Sequence, residues 1–308
     1  MADWTPTKIP DQTGKIIVIT GASNGLGLAS AGILAARGAE ITLAVRDAAR
    51  GEAAAQKIRA AHPGAKLTVS LLDLASLDSV AHFAARTAET LPRIDVLLNN
   101  AGLGMQPTRR VTKDGFEQMF GVNHLGHFAL TARLVPLLLQ APAPRVVVVA
   151  SNAHKRGAIA WDDVQAEKSY AGPKVYAQSK LANLMFALEL ASRAKAQNSR
   201  LLCAAAHPGL AATNFIAATE MPGIIQKIAH LTIGLIGQPA EAGAWPQEYA
   251  ATMPDVANGD YWGPDGFMAF KGKPQRETPR PQAQNLADRS RLWTLSEQLT
   301  GVTFPALA

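Results

Sequence analysis

The amino-acid sequence predicts an α/β fold with a doubly wound parallel sheet. Apolar runs of strand length alternate with amphipathic helical stretches along the first two thirds of the chain. The strand segments are apolar throughout rather than alternately apolar and polar, which is typical of a sheet covered by helices on both faces. The repeated strand–helix order favours parallel strands joined by right-handed crossovers, as in a Rossmann-type fold.

Six strands and four helices can be placed on this pattern. Strands are expected at 15–20, 40–45, 66–72, 94–98, 145–151 and 200–206, and helices at 28–37, 48–61, 76–91 and 288–299. Residues 271–284 are rich in proline and arginine, so they are expected to form an extended strap. Residues 1–308 are therefore predicted as a single domain with a C-terminal extension at about 271–308.

Composition and charge narrow the class of protein. The chain is 48% hydrophobic and 18% charged, which is ordinary for a globular protein. Its net charge of +6 comes from scattered basic residues, which argues against a nucleic-acid partner but suits an anionic dinucleotide. A single cysteine, Cys203, excludes a disulfide framework and a multi-cysteine metal site. His124 and His127 have no acidic residue beside them, so no metal is expected.

No segment is expected to span a membrane. The N-terminal residues are polar and lack the apolar core of a signal peptide. The charge-free stretch at 201–219 is about long enough to cross a bilayer, but His207-Pro208-Gly209 in its middle argues against a spanning helix. A cytoplasmic location is therefore the expectation, and a homo-oligomer is one option for an oligomeric state that the sequence leaves open.

A glycine-rich turn follows the first strand and precedes the first helix. Glycines let the backbone bend sharply and let pyrophosphate oxygens approach main-chain N–H groups, and the helix N-terminus stabilises the negative charge. A bare strand-to-helix turn is the alternative, but the position in the first strand–helix unit favours dinucleotide binding. The predicted contacts are Gly21, Ser23, Asn24, Gly25, Leu26 and Gly27, with Asp73, Leu74, Asn100, Ala101 and Gly102 in the loops that close the third and fourth strands.

The end of the second strand indicates which nicotinamide cofactor is used. An acidic residue there would bond the ribose 2′-hydroxyl of NAD, whereas an arginine would pair with the 2′-phosphate of NADP. Asp47 immediately precedes a helix, where an N-cap is its expected role, and Arg46 immediately follows the strand. We therefore predict NADP(H) in preference to NAD(H), the alternative being that Arg46 is a solvated surface residue.

A tyrosine and a lysine four residues apart supply candidate catalytic groups. Of two such pairs, Tyr170…Lys174 is interrupted by Gly172-Pro173, whereas Tyr176…Lys180 runs into a strong helix pattern that places both side chains on one face. A lysine ammonium one turn away would lower the pKa of the tyrosine towards a useful acid/base range. Ser151 ends the fifth strand, where its hydroxyl can hydrogen-bond a substrate carbonyl oxygen.

These residues resemble one family closely, the short-chain dehydrogenases/reductases. The resemblance covers roughly residues 12–300 and rests on six ordered motifs, TGASNGLG, LLNNAG, GVNHLGHF, VVVVAS, YAQSK and HPGLAAT. It implies that Tyr176 is the general acid/base, that Lys180 tunes it and holds the nicotinamide ribose, that Ser151 orients the carbonyl and that Asn123 supports a proton-relay water. It also implies an adenine contact for Asp73, a ribose contact for Asn100, and a loop of Pro208, Gly209 and Thr213 that closes over the nicotinamide.

Finer features are similar to the retinol-dehydrogenase branch, which includes the WW-domain oxidoreductases and the light-dependent protochlorophyllide reductases. They are AVRD, VNHLGHFALT, the insertion at 152–175, SKLANLMFALEL and RLWTLSEQLTG. This branch generally prefers NADP, which agrees with Arg46. The chain departs from the family at Val148-Val149-Ala150-Ser151, where Asn-Val-Ser-Ser is frequent, and Ser151 is then the remaining candidate serine. The membrane anchor that is frequent in vertebrate members is also not seen.

The predicted function is hydride transfer between NADP(H) and a carbonyl or alcohol of an apolar small molecule. The alternatives are a non-catalytic NADP-binding sensor or scaffold and a light-dependent double-bond reductase. The segment at about 214–237 is the predicted substrate lid, because Ile224, Ile228, Leu231 and Leu235 form an apolar stripe. A dimer face or a membrane-surface contact would also explain that stripe.

Overall fold

A computed structural model describes residues 4–212 and 238–308. Within these residues, eight strands form one sheet in the order β3-β2-β1-β4-β5-β6-β9-β10. The strands are β1 Ile16–Thr20, β2 Glu40–Val45, β3 Lys66–Leu71, β4 Val96–Asn99, β5 Arg145–Val149, β6 Leu202–Ala206, β9 Tyr261–Pro264 and β10 Pro274–Glu277; two short strands, β7 Ala211–Ala212 and β8 Gln238–Pro239, pair separately. The main helices are α1 Gly25–Ala36, α2 Ala48–Ala61, α3 Leu77–Thr90, α4 Gly126–Leu138, α5 Gly172–Ala196, α6 Ala240–Thr252 and α7 Leu286–Thr300.

The predicted doubly wound α/β fold is confirmed. Strands β1 to β6 and β9 pair in parallel, and two hydrophobic cores lie on opposite faces of the sheet. Within β1, Val18 belongs to the core shared with α3, α4 and α5, whereas Ile17 and Ile19 belong to the core shared with α1, α2 and α6. Strands that bury both faces must be apolar at successive positions, and this is the pattern that the sequence shows.

The edge strand β3 departs from that pattern. Each of its side chains is exposed or half-buried, and Leu71 is 53% exposed. Among the described residues, β2 is its one strand neighbour. An edge position leaves one side open to solvent, so β3 tolerates the lysine, threonine and serine of its sequence.

The C-terminal region differs from the predicted strap. Residues Pro274–Glu277 form β10, which pairs antiparallel with β9, so the sheet is not wholly parallel. A short helical turn, Pro281–Gln284, follows β10 and leads to α7. The prediction missed β9 because its sequence, Tyr-Trp-Gly-Pro, is short and contains two residues that disfavour strands.

Boundary differences are small but one matters for the site. The fifth strand was predicted to reach Ser151, whereas β5 ends at Val149. Ser151 instead caps a short 3-10 turn, Asn152–Arg156, and its Oγ accepts from the Ala153 amide at 3.2 Å. No helix in the described part of the chain is long and apolar enough to cross a bilayer.

Candidate active site

A cleft of about 900 Å³ lies at the carboxyl ends of the central strands. Ligands of open α/β sheets bind in this position because loops from several strands meet there. The cleft is lined by every cofactor contact predicted within the described residues: Gly21, Ser23, Asn24, Gly25, Leu26, Gly27, Arg46, Asp73, Leu74, Asn100, Ala101, Gly102, Tyr176, Lys180, Pro208 and Gly209. Ser151 also lines it. Thr213 and the predicted lid at 214–237 lie outside the described residues.

The turn after β1 has a backbone conformation and close contacts that only glycine permits at several positions. Gly21 and Gly25 have φ of +67° and +52°, in the left-handed region that favours glycine. A Cβ on Gly27 would lie 2.5 Å from both Asn100 Nδ2 and Gly21 O. The turn therefore packs directly on the loop after β4. Within the described part of the chain, the Asn24 side chain makes no capping bond to the N-terminus of α1. The first amides of α1 are thus left for an anionic ligand.

Thr20 connects the turn to the neighbouring strand. Its Oγ1 accepts from the Asn100 and Ala101 amides, both at 2.9 Å, and lies 2.9 Å from His127 Nε2. The Asn100 side chain donates to Thr20 O at 2.8 Å and accepts from Gln247 of α6 at 3.2 Å. These bonds hold the loops after β1 and β4 at the spacing that defines one wall of the cleft.

The end of β2 places basic side chains on the cleft. Arg46 is exposed and lines it, as does Arg50 in the first turn of α2. Asp47 accepts from the Arg50 amide at 3.1 Å, which confirms that this carboxylate caps α2. Arg50 was not predicted from the sequence, although it lies only four residues after Arg46. Two arginine side chains therefore line this end of the cleft.

Asp73 follows β3 and turns the next loop. Its Oδ1 accepts from the Ala75 amide at 3.1 Å, and its Oδ2 lies 3.5 Å from Lys113 Nζ. Through these two contacts the carboxylate stabilises the loop that places Leu74 in the cleft. Any contact with an adenine would be made from this fixed position.

Tyr176, Lys180 and Ser151 meet at the same cleft. Helix α5 begins at Gly172, so Tyr170 lies before it and instead donates its hydroxyl to Gln106 O at 3.0 Å. Tyr176 and Lys180 lie one turn apart on α5, and the Ser151 side chain hydrogen-bonds Tyr176. Lys180 Nζ donates to Val149 O at 3.1 Å, which anchors it to the end of β5.

Burial changes the proton affinity of both groups. It raises the pKa of Tyr176 to about 12, against the opposing effect of the Ser151 hydrogen bond, and lowers the pKa of Lys180 to about 8. The expected lowering of the tyrosine pKa by lysine is therefore not seen in the protein alone, because removal from water disfavours the phenolate more strongly. Tyr176 is protonated at neutral pH, which is the form required of a general acid.

Asn123 lies behind the cleft rather than in it. It belongs to a π-helical turn, Gly121–Leu125, and is fully buried. Its Oδ1 accepts from the Leu103 amide at 2.7 Å, and its Nδ2 donates to Leu103 O at 3.1 Å and to Ser179 Oγ at 3.0 Å. The side chain thus ties the loop after β4 to α5, and the predicted support of a relay water stays a prediction.

Comparison with known proteins agrees with this geometry. A family model described as short chain dehydrogenase matches residues 15–221. Human retinol dehydrogenase 14 is 37% identical over 304 residues, covering 94% of this chain and 87% of that protein; human retinol dehydrogenase 13 is also 37% identical, covering 96% and 87%.

Solved structures show the same fold. An uncharacterized protein of Mycobacterium paratuberculosis superposes with a TM-score of 0.79 at 37% identity, covering 98% of this chain and 99% of its own. A short chain dehydrogenase from Escherichia coli CFT073, crystallised with NADPH, gives a TM-score of 0.63 at 25% identity and covers 82% and 97%.

Proposed function

Because the chain belongs to the short chain dehydrogenase family, we propose that it is an NADP(H)-dependent oxidoreductase acting on a carbonyl or alcohol of an apolar small molecule. The observation that carries the proposal is the meeting of Tyr176, Lys180 and Ser151 in the cleft that the glycine turn also lines. An oxidoreductase of this family needs both parts within one cleft.

The cleft fits a dinucleotide on structural grounds. The glycine positions at 21, 25 and 27 leave a cradle that a Cβ would fill or distort, and the N-terminus of α1 opens into it. Arg46 and Arg50 would hold a 2′-phosphate, and Lys180 would hold the nicotinamide ribose. The E. coli structure with NADPH supports the choice of NADP(H).

The side chains of the site then have separate tasks. Nicotinamide, when bound, supplies or accepts the hydride at the carbonyl carbon. Ser151 donates a hydrogen bond to the substrate oxygen and holds it against Tyr176, which gives that oxygen its proton during reduction and removes it during oxidation. Lys180, whose ammonium lies on the Val149 carbonyl, favours the tyrosinate left after proton transfer.

The named relatives and the sequence support one class of substrate. Retinol is an apolar alcohol, and retinol dehydrogenases 13 and 14 align along almost the whole chain. We therefore propose a bulky apolar alcohol or the corresponding aldehyde or ketone. A sensor or scaffold on the same fold would have no need of Tyr176 and Lys180 together, which favours the enzyme. A cytoplasmic location and a homo-oligomer stay predictions.

The test follows NADPH absorbance with purified protein and a panel of apolar aldehydes and ketones that includes retinaldehyde. We expect NADPH oxidation that is abolished in Tyr176→Phe and unchanged in the matched control Tyr170→Phe. Arg46→Ala should raise the KM for NADPH and leave that for NADH unchanged. Tight NADPH binding with no turnover of any substrate would favour the sensor, and pigment bound to the purified protein would favour the light-dependent reductase. Equal use of NADH would contradict the role of Arg46.

A further inference from the structure

We infer that Glu277, on the C-terminal strand β10, is a positioning residue that fixes the cofactor loop Pro208-Gly209 through His207. The inference rests on the proposed function in one respect, namely that this loop closes on the dinucleotide. The contacts themselves do not depend on it. They join a residue of the extension to a wall of the cleft 70 residues away in sequence.

His207 is the link between the two. It directly follows β6, and its side chain is completely buried. The Gly209 amide donates to His207 Nδ1 at 3.1 Å, so Nδ1 carries no proton in this arrangement. The ring proton must then lie on Nε2, which faces Glu277 Oε1 at 2.7 Å. Glu277 therefore sets the tautomer that lets His207 accept from the loop.

Glu277 is itself held at its other oxygen. Oε2 lies 3.5 Å from Lys155 Nζ, and Lys155 belongs to the 3-10 turn that begins just after Ser151. Burial raises the pKa of Glu277, but the hydrogen bond from His207 and the nearby ammonium of Lys155 outweigh it and leave the pKa below its ordinary value. The carboxylate is therefore an ionised acceptor at neutral pH.

A glycine on the neighbouring strand makes room for the pair. A Cβ on Gly263 of β9 would collide with both His207 Nε2 and Glu277 Oε1. Gly263 has no positive φ that would otherwise call for glycine. The hydrogen-bonded side chains of His207 and Glu277 thus occupy the space next to Gly263 that a side chain would need.

The loop needs such an anchor because its backbone has an unusual shape. Gly209 has φ of +64°, and it packs against Phe270 O and Pro264. Its amide is directed back to His207 rather than to another strand. Without an acceptor on Nδ1, this half-buried amide would lose its partner, and the loop would relax away from the cleft.

The experiment compares four variants by two measurements. Amide hydrogen exchange of the peptide containing Gly209 is measured in the protein without ligand, and the Kd for NADPH is measured by fluorescence. Glu277→Ala should abolish protection of the Gly209 amide and raise the Kd about ten-fold, the size expected for one hydrogen bond. Glu277→Gln should restore both values, because its amide oxygen still accepts from Nε2.

Two variants serve as matched controls. Arg276→Ala removes the ion pair of the adjacent β10 residue with Asp260, at 3.0 Å, without touching His207. Lys155→Met removes the other partner of Glu277. Both should leave the Gly209 amide protected and the Kd within about two-fold of the original. If Arg276→Ala acts like Glu277→Ala, general loosening of β10 explains the result and the inference is wrong.

The unmodified protein supplies an independent check. Nitrogen-15 NMR of its histidines should show His207 with the proton on Nε2, and a proton on Nδ1 would overturn the inference even if a variant fails to fold. Should the protein bind no NADPH at all, the proposed function fails, whereas hydrogen exchange and the tautomer still decide the role of Glu277.

Discussion

Glu248 on α6 allows a direct test of how a buried carboxyl group near the cleft changes the free energy of unfolding with pH. Its carboxyl group is fully buried, and burial raises its pKa from 4.5 to about 8. Ser30 donates to its Oε1 at 3.2 Å, whereas its Oε2 has no hydrogen-bond partner among the described residues. Through Ser30 and Gln247 it is connected to Asn100, which lines the cleft.

The size of the effect follows from proton linkage. A carboxyl group whose pKa is higher in the folded state favours folding when protonated, so stability is highest below pH 4.5 and falls as pH rises towards 8. At about 1.36 kcal/mol per pH unit, the loss by pH 7 amounts to about 3 kcal/mol. Glu248→Gln keeps the shape and the acceptor for Ser30 but cannot ionise, so it should recover about this amount at pH 7.

The assay is urea unfolding of both proteins at several pH values from 5 to 9. The Glu248→Gln variant should be more stable at pH 7 and above, with the difference shrinking towards zero at pH 5. Glu52→Gln, the same change at an exposed position of α2, should alter stability by less than about 0.5 kcal/mol. A difference between Glu248→Gln and the original protein that stays constant from pH 5 to 9 would refute the assigned burial of the charge.

Three further predictions concern the core and the cleft. Phe128→Ala removes a fully buried ring that packs within 5.5 Å of Phe186, centroid to centroid, and should cost about 3–5 kcal/mol in urea unfolding. Gly27→Ala places a Cβ 2.5 Å from Asn100 Nδ2 and should weaken NADPH binding at least ten-fold in a fluorescence titration; unchanged affinity would show that the turn does not hold the dinucleotide. Because the pKa of Tyr176 is raised to about 12, its basic form is scarce at neutral pH, so kcat/KM for alcohol oxidation should increase from pH 6 to 10 while that for carbonyl reduction does not.

The fold was predictable for those helices and strands whose own residues show a recognisable pattern of apolar positions or caps. Strands that bury both faces have continuous apolar sequences, and α2 was bounded correctly because Asp47 caps it and a histidine follows its last turn. The prediction failed for β9 and β10, which are four residues each and contain proline. Such segments become strands because β6 offers an open edge, and that edge is a property of the assembled sheet.

The candidate site was predictable for a related reason. Its residues follow strand ends, and parallel strands bring all of their carboxyl ends to one edge, so position along the chain implied position in space. This logic places Ser151 and Asn100 in the cleft. It cannot give the proton affinity of Tyr176, because the desolvation that raises its pKa depends on everything packed around it.

The contacts that support the lining residues could not be predicted from the sequence. The side chain of Asn123 hydrogen-bonds Leu103 and Ser179, and the predicted support of a relay water stays a prediction. Neither partner is close to Asn123 in sequence. Hydrogen bonds between distant segments produce no periodic pattern in the amino-acid sequence, so they cannot be predicted from it. The same holds for the pair of His207 and Glu277, which joins the parallel core to a strand added antiparallel at its edge. Local sequence motifs therefore predict the residues that line the cleft, whereas the hydrogen bonds that support them are seen only in the folded chain. These supporting bonds determine how rigidly the lining residues are held.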